Sequence, residues 1–113
     1  MQAALVNTPR TPEEWALWGF AHRDHHFLIQ QAIQAQAGVN LPVYLLDPIP
    51  YEDSTSLDNW LASNQAAHND MNNILGLSGS SLDKVNLANP EETEAWIFLH
   101  RKEHEAAASV LAI

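Results

Sequence analysis

The chain has 113 residues, no cysteine and a formal net charge of −9, from 14 acidic and 5 basic side chains. Its hydrophobic fraction of 46% and charged fraction of 17% are typical of one globular domain and exclude a disordered chain. The lack of cysteine excludes disulfides and cysteine-ligated zinc, and the few scattered basic residues exclude a nucleic-acid-binding patch. We therefore expect neither nucleic acid nor a membrane as a partner, since no apolar run is long enough to span a bilayer.

The first predicted helix begins at a strong capping signal. Thr11 can cap the helix, Pro12 suits its first turn, and Glu14 at the third position can close a capping box. Gly38 is a natural end because glycine adopts the left-handed conformation at little cost. The sequence therefore predicts a helix over about residues 12–37.

Two further helices follow. The second is predicted over about residues 54–75, with either Asp53 or Ser56 as its cap. The third is predicted over about residues 90–111, where Asn89 precedes a Pro-Glu-Glu start like that of the first helix. The fold class predicted is all-α, a three-helix bundle.

Long connections and an N-terminal arm complete the predicted organisation. Residues 1–10 are expected to form an extended arm, and residues 11–113 a single helical domain. Residues 38–53 hold three prolines and several large apolar side chains, so they cannot be helical and must lie against something. Packing along the groove of the bundle is the favoured interpretation, and docking on a neighbouring subunit is the alternative. Residues 77–88 form a second loop that Leu82, Val85 and Leu87 would hold in place.

The direction of each helix is left open by these connections. An extended segment of about 14 residues spans more than 40 Å at ~3.3 Å per residue, whereas a helix of about 22 residues is ~33 Å long. Either connection could therefore return along the bundle and make neighbouring helices parallel. An up-down-up arrangement is favoured, because antiparallel neighbours are common in small bundles.

One pattern recurs in all three helices, with residues at relative positions 0, 4, 8, 11 and 15. At ~100° per residue these positions form one stripe down one face of a helix. The three stripes are Trp18-His22-His26-Ile29-Ile33, Trp60-Asn64-His68-Met71-Leu75 and Trp96-His100-His104-Ala107-Leu111.

The favoured interpretation of the stripes is a structural Trp-His seam. Half-buried imidazoles can donate to backbone carbonyls while their rings pack on tryptophan, and polar side chains inside a bundle can fix its register. This interpretation assigns packing and register to nine residues and no metal ligand, cofactor or catalytic group to any of them. They are Trp18, His22, His26, Trp60, Asn64, His68, Trp96, His100 and His104.

The alternative is a small His-rich metal-binding helical protein. His22 and His26 are four residues apart, as are His100 and His104, so each pair presents two imidazoles on one helix face. His68 is a further potential ligand, as is His25. The His-Glu-x-x-His pattern of helical zinc enzymes is missing, and so is the Glu-x-x-His pattern of di-iron proteins.

An enzyme is not expected. Asp24 adjoins His25 and Asp70 lies close to His68, but neither pair has an obvious nucleophile, since Ser63 lies in an ordinary helical context. There is no glycine-rich phosphate loop in the sequence.

Three segments of the chain resemble small virion proteins of tailed bacteriophages, and the similarity covers most of residues 12–113. They are the run from Trp60 through His68-Asn69-Asp70-Met71-Asn72 to Leu75-Gly76, the segment Leu46-Asp47-Pro48-Ile49-Pro50, and the closing run that contains Asn89-Pro90-Glu91-Glu92, Trp96-Ile97-Phe98-Leu99-His100 and Glu103-His104.

The resemblance implies a non-enzymatic structural or assembly component of the virion. It places the protein at the head–tail junction or in the tail, and less readily on the capsid as a decoration. Partners would be other virion proteins and further copies of the chain, and synthesis would take place in the host cytoplasm. A bacterial adaptor bundle without a virion role is a third interpretation.

Overall fold

The structure is a computed structural model that describes residues 7–42, 44, 46, 49–50, 53–78, 82 and 85–113. Three α-helices account for the regular structure of these residues: α1 (Pro12–Ala37), α2 (Ser54–Leu75) and α3 (Pro90–Leu111). The predicted all-α bundle is confirmed. Most of the predicted N-terminal arm, parts of the 38–53 connection and parts of the 77–88 loop lie outside the described residues.

The capping signals read from the sequence are present at the start and end of α1. The Thr11 hydroxyl accepts a hydrogen bond from the Glu14 backbone N–H at 3.1 Å, and the Glu14 carboxylate accepts one from the Thr11 N–H at 3.2 Å. Gly38 ends the helix with φ 69°, a left-handed backbone conformation that residues with a side chain adopt only with strain. Local sequence therefore sets both ends of this helix.

Side-chain caps also start the other two helices. The Asp53 carboxylate accepts from the Thr55 N–H at 3.1 Å, so Asp53 rather than Ser56 is the cap of α2. The Asn89 side-chain carbonyl accepts from the Glu91 N–H at 3.0 Å. Gly76 ends α2 in the left-handed conformation, as Gly38 ends α1.

All three helices run in the same direction, so the expected up-down-up arrangement is wrong. Trp18, Trp60 and Trp96 lie near the N-terminal ends of their helices, and their ring centroids are only 5.5–6.2 Å apart. At the other end, the Gln36 side-chain amide donates to the Leu111 carbonyl at 2.7 Å. Helices whose N-terminal ends meet and whose C-terminal ends meet are parallel.

The first connection explains how a parallel arrangement is stabilised. Leu41 packs against the apolar cluster at the C-terminal ends of the helices, and Ile49 is buried among the tryptophans at the N-terminal ends. Between them the Tyr44 hydroxyl donates a hydrogen bond to the Asp70 carboxylate on α2. The described part of the segment therefore returns along the bundle and buries Leu46 and Ile49 on it, as the favoured interpretation expected.

The second connection is anchored in the same way. Leu82 is fully buried in the tryptophan-containing cluster, and Val85 and Leu87 pack against that cluster. These three described residues of the connection thus add apolar surface to the core.

Because the helices are parallel and in register, equivalent residues of the three stripes lie at the same level of the bundle. A tryptophan level is followed by a level of His22, Asn64 and His100, and then by a level of His26, His68 and His104. Below these polar levels lies an apolar cluster of Ile29, Ile33, Met71, Ala107 and Leu111. The histidines are therefore enclosed between aromatic and aliphatic packing.

None of the helices in the described part of the chain combines the length and the apolar character needed to cross a membrane.

Candidate metal centre

Three histidine rings meet on the axis of the bundle. The centroids of His26, His68 and His104, one from each helix, lie 4.6–4.9 Å apart. His22, one turn before His26 on α1, brings a fourth ring to the group, with its centroid 4.4 Å from that of His26. The 4-residue spacing places both rings on one face of α1, as the sequence predicted.

The ring nitrogens of the four histidines converge. His26 Nε2 lies 3.1 Å from His22 Nε2 and 3.2 Å from His68 Nε2. With one nitrogen taken from each of the four rings, all of these atoms lie within 4.8 Å of one another. We refer to His22, His26, His68 and His104 as the four-histidine cluster.

The fourth ligand atom is indicated by the contacts of His104. Its Nδ1 lies 2.6 Å from Nδ1 of His25, so that nitrogen is already engaged. Its Nε2 is buried and has no hydrogen-bond partner among the described residues. Nε2 of His104 is therefore the nitrogen available to an ion.

The cluster is dry. His22 and His68 are 0% exposed, His104 is 1% exposed and His26 is 2% exposed. Burial, followed by the mutual repulsion of the neighbouring histidines, lowers the pKa of His22, His26 and His104 well below its ordinary value. These rings are neutral at pH 7, which is the protonation state that metal coordination requires.

Hydrogen bonding alone does not satisfy this arrangement. A nitrogen of a neutral imidazole carries either one N–H or one lone pair, so it makes one linear hydrogen bond. His26 Nε2, however, faces both His22 Nε2 and His68 Nε2 at hydrogen-bonding distance. At least one of these close contacts therefore lacks a well-formed hydrogen bond. A buried polar group without a hydrogen bond lowers the stability of the fold.

Two of the nitrogen–nitrogen contacts are close to the spacing of a tetrahedral metal site. Zinc–nitrogen bonds of about 2.0–2.1 Å place the nitrogens of a tetrahedral site roughly 3.3–3.4 Å apart. The two contacts at His26 are within a few tenths of an ångström of that spacing. An ion would take the lone pairs of these nitrogens as ligands and replace their close contacts with one another.

His100 does not belong to this ligand set, although the metal-binding alternative included it. Its Nδ1 donates to the Trp96 carbonyl at 3.1 Å, which leaves Nε2 as an acceptor for the Asn64 side-chain amide at 2.8 Å. Both nitrogens are thus used within the protein. The structure groups His68 with His22, His26 and His104 instead.

The tryptophans enclose the cluster on the side of the N-terminal ends of the helices. The Trp18 ring stacks on His22 with centroids 4.7 Å apart and an interplanar angle of 15°. All nine residues of the predicted Trp-His seam are buried, including Trp60 and Trp96. Their role in packing and register stays a prediction, and it is compatible with a metal held by four of them.

Two polar residues that the sequence analysis did not select lie beside the cluster. The Glu103 carboxylate accepts hydrogen bonds from His68 Nδ1 at 3.1 Å and from the Asn72 side-chain amide at 3.0 Å. Asn72 lies four residues after His68, on the same face of α2, and this spacing is the signal that could have identified it. No sequence spacing identifies Glu103, because it lies on α3 and the residues it contacts, His68 and Asn72, lie on α2.

Comparison of the chain with protein-family models, with curated proteins and with solved structures found no match.

Proposed function

We propose that this protein is a non-enzymatic helical bundle built around one divalent transition-metal ion, held by His22, His26, His68 and His104. The observation that carries the proposal is the convergence of four buried ring nitrogens within 4.8 Å of one another. Each helix supplies at least one ligand, so the ion would link α1, α2 and α3. Metal binding would then contribute directly to the stability of the fold.

The chemistry of the ligands narrows the choice of metal. Imidazole suits zinc, copper, nickel and cobalt, whereas magnesium and calcium prefer carboxylate, carbonyl and water oxygens. A site closed by four imidazoles favours Zn²⁺, which prefers tetrahedral coordination, with Co²⁺ as its spectroscopic substitute, over ions that demand square-planar or octahedral geometry. We therefore take Zn²⁺ as the physiological candidate.

Four imidazoles would complete a tetrahedral coordination shell. Catalytic zinc sites keep one position for water or substrate, whereas structural sites are closed by four protein ligands. The four-histidine cluster is of the closed type and is buried, which supports a structural ion rather than a catalytic one.

Titration of the metal-free protein with Co²⁺ tests this proposal. We expect intense visible absorption bands typical of tetrahedral cobalt, saturating at one ion per chain and abolished by an equivalent of Zn²⁺. Quenching of the tryptophan fluorescence by Co²⁺ should follow the same stoichiometry, because the Trp18 ring stacks on His22. Weak octahedral bands only, or no saturation, would contradict a four-histidine site.

A role as a structural component of a tailed-phage virion is the second proposal, and it is compatible with the first. It rests on the resemblance described above and is supported by apolar side chains that remain exposed on the outer faces of α1 and α3. Phe20 and Phe98 occupy equivalent places, and each lies under an arginine, Arg23 at 5.0 Å and Arg101 at 5.1 Å. Exposed aromatic residues beside arginine are common in protein interfaces. The exposed set includes Leu17, Phe20, Phe27, Leu28, Phe98 and Leu99.

Immunodetection of the chain in purified phage particles tests the virion proposal. We expect it to co-purify with the particles at a fixed ratio to the other structural proteins, at the head–tail junction or in the tail. Recovery of the chain only from the particle-free fraction would contradict this role.

A further inference from the structure

We infer that Glu103 is a positioning residue of the metal centre, which orients His68 and compensates part of the charge of the ion. This inference rests on the proposed metal site. It adds a carboxylate to a site whose ligands are all neutral imidazoles, and thereby raises the affinity of the site for a divalent ion.

The orientation of His68 follows from what its two nitrogens contact. A carboxylate oxygen only accepts hydrogen bonds, so in the neutral, metal-binding form of His68 the 3.1 Å contact between its Nδ1 and Glu103 Oε1 places the proton on Nδ1. The lone pair is then on Nε2, the nitrogen that lies 3.2 Å from His26 Nε2 in the four-histidine cluster. Glu103 thus selects the tautomer in which His68 can bind a metal.

Glu103 is itself held in place. The Asn72 side-chain amide donates to the same carboxylate oxygen at 3.0 Å, and Asn72 is 2% exposed. The Glu103 side chain is only 16% exposed, so its charge is poorly screened by water. Because Asn72 lies on α2 and Glu103 on α3, this contact also ties the two helices together beside the cluster.

Charge gives the carboxylate a second role. A divalent ion with four neutral ligands would leave two positive charges in a buried core, and burying uncompensated charge costs free energy. The Glu103 carboxylate reduces the net positive charge of the site by one. Its hydrogen bond also makes His68 more basic. Carboxylates that hydrogen-bond to metal-bound histidines have this effect generally, and their loss weakens metal binding by about 10- to 100-fold.

The matched control lies on the same helix. Glu105 pairs with Arg101 at 3.8 Å, and its side chain is 47% exposed. Glu105→Gln removes the same charge from the chain without touching the cluster. Comparison of Glu103→Gln and Glu103→Ala with Glu105→Gln therefore separates a local effect at His68 from a change in net charge.

Two measurements on the full-length chain test the inference. The first is the ¹⁵N chemical shift of the His68 ring nitrogens in the metal-free protein, which reports the tautomer. The second is Zn²⁺ affinity, measured by competition with a chelator of known affinity. Thermal unfolding of each metal-free variant shows whether the variant has folded.

We expect the Nδ1–H tautomer and equal Zn²⁺ affinity in the wild-type protein and in Glu105→Gln. Glu103→Ala should lose the tautomer preference and bind Zn²⁺ about 10- to 100-fold more weakly. Glu103→Gln, whose amide oxygen can still accept from His68, should retain the tautomer and lose part of the affinity.

The possible failures are distinguishable. If the wild-type protein binds Zn²⁺ and Glu103→Ala binds it within twofold, the inference is overturned and the proposed metal site stands. If the wild-type protein binds no Zn²⁺, the proposed function fails, and the ¹⁵N shifts still decide whether Glu103 sets the tautomer of His68. A wild-type His68 protonated at Nε2 would also overturn the inference.

Discussion

Each histidine of the cluster is placed by local helix geometry, but its chemistry depends on partners from other helices. His26 faces His68 across the bundle, while His104 reaches His25 with one nitrogen and leaves the other without a partner among the described residues. Burial lowers the pKa of His26 and of His104. The folded state therefore holds neutral rings that the unfolded chain would readily protonate.

This difference predicts that the metal-free protein is destabilised by acid. Above the unfolded pKa of about 6.5 both states hold neutral histidines, and the free energy of unfolding should be nearly constant. As pH falls below that value, the unfolded chain binds protons that folded His22, His26, His100 and His104 do not, so stability falls. Urea unfolding in the presence of a chelator at pH 8, 7, 6 and 5 measures this effect. A free energy of unfolding that stays constant from pH 8 to pH 5 would contradict it.

A pair of substitutions should separate metal binding from packing. His22 Nδ1 has no hydrogen-bond partner in the described chain, so His22→Leu removes an unsatisfied group and should leave metal-free stability unchanged or higher. It also removes a ligand and should abolish the rise in melting temperature that Zn²⁺ produces. Thermal unfolding with and without Zn²⁺ measures both effects.

His100→Leu is the matched control for His22→Leu and should behave in the opposite way. It leaves the Asn64 amide without its acceptor, which should cost about 1–3 kcal/mol of stability. The Zn²⁺-dependent rise in melting temperature should persist, because His100 has no nitrogen free for the ion. Loss of that rise in His100→Leu, with its retention in His22→Leu, would show that we have assigned the ligands wrongly.

At the scale of the elements, the helices could be predicted and their directions could not. Thr11 and Asn89 are caps whose side chains act within a few residues, so sequence alone identifies them, whereas for α2 it left Asp53 and Ser56 as alternatives. Direction depends on whether a long connection returns along the bundle, and that is decided by tertiary burial of residues such as Ile49 and Leu82. The stripes show that each helix carries its tryptophan and polar residues on one face. They do not show that equivalent residues of different helices lie side by side.

Distances between spin labels test the parallel arrangement, and the lack of cysteine makes labelling straightforward. Labels at exposed Glu13 and Glu91 mark the N-terminal ends of α1 and α3, and a label at exposed Ser109 marks the C-terminal end of α3. The Glu13–Glu91 distance should be shorter than the Glu13–Ser109 distance by roughly 15 Å, since α3 rises about 1.5 Å per residue between the two labels and the lateral separation is common to both distances. The reverse order would mean that the two helices are antiparallel.

At the scale of the whole molecule, the site depends on the register of three parallel helices. His26 and His68 could be predicted to occupy equivalent positions, because the pattern repeats along the chain. The exchange of His100 for His68 in the ligand set could not be predicted, since it depends on hydrogen bonds to Trp96 and Asn64 that only the folded chain forms. Glu103 was not anticipated for the same reason.

An ion bound only to the folded state would stabilise the whole bundle by mass action. At a free-ion concentration of 100 times the dissociation constant the gain is about 2.7 kcal/mol. For a chain of this length such a gain is a large fraction of the total stability, so the metal-loaded and metal-free proteins should differ clearly in melting temperature.

Native mass spectrometry of the untagged protein, first stripped with chelator and then saturated with Zn²⁺, counts the zinc ions that each chain binds. We predict one zinc ion per chain in the wild-type protein and none in His26→Leu, which loses the nitrogen that contacts both His22 and His68. A wild-type protein that stays at the bare chain mass, or a His26→Leu variant that binds zinc equally well, would contradict a four-histidine metal centre.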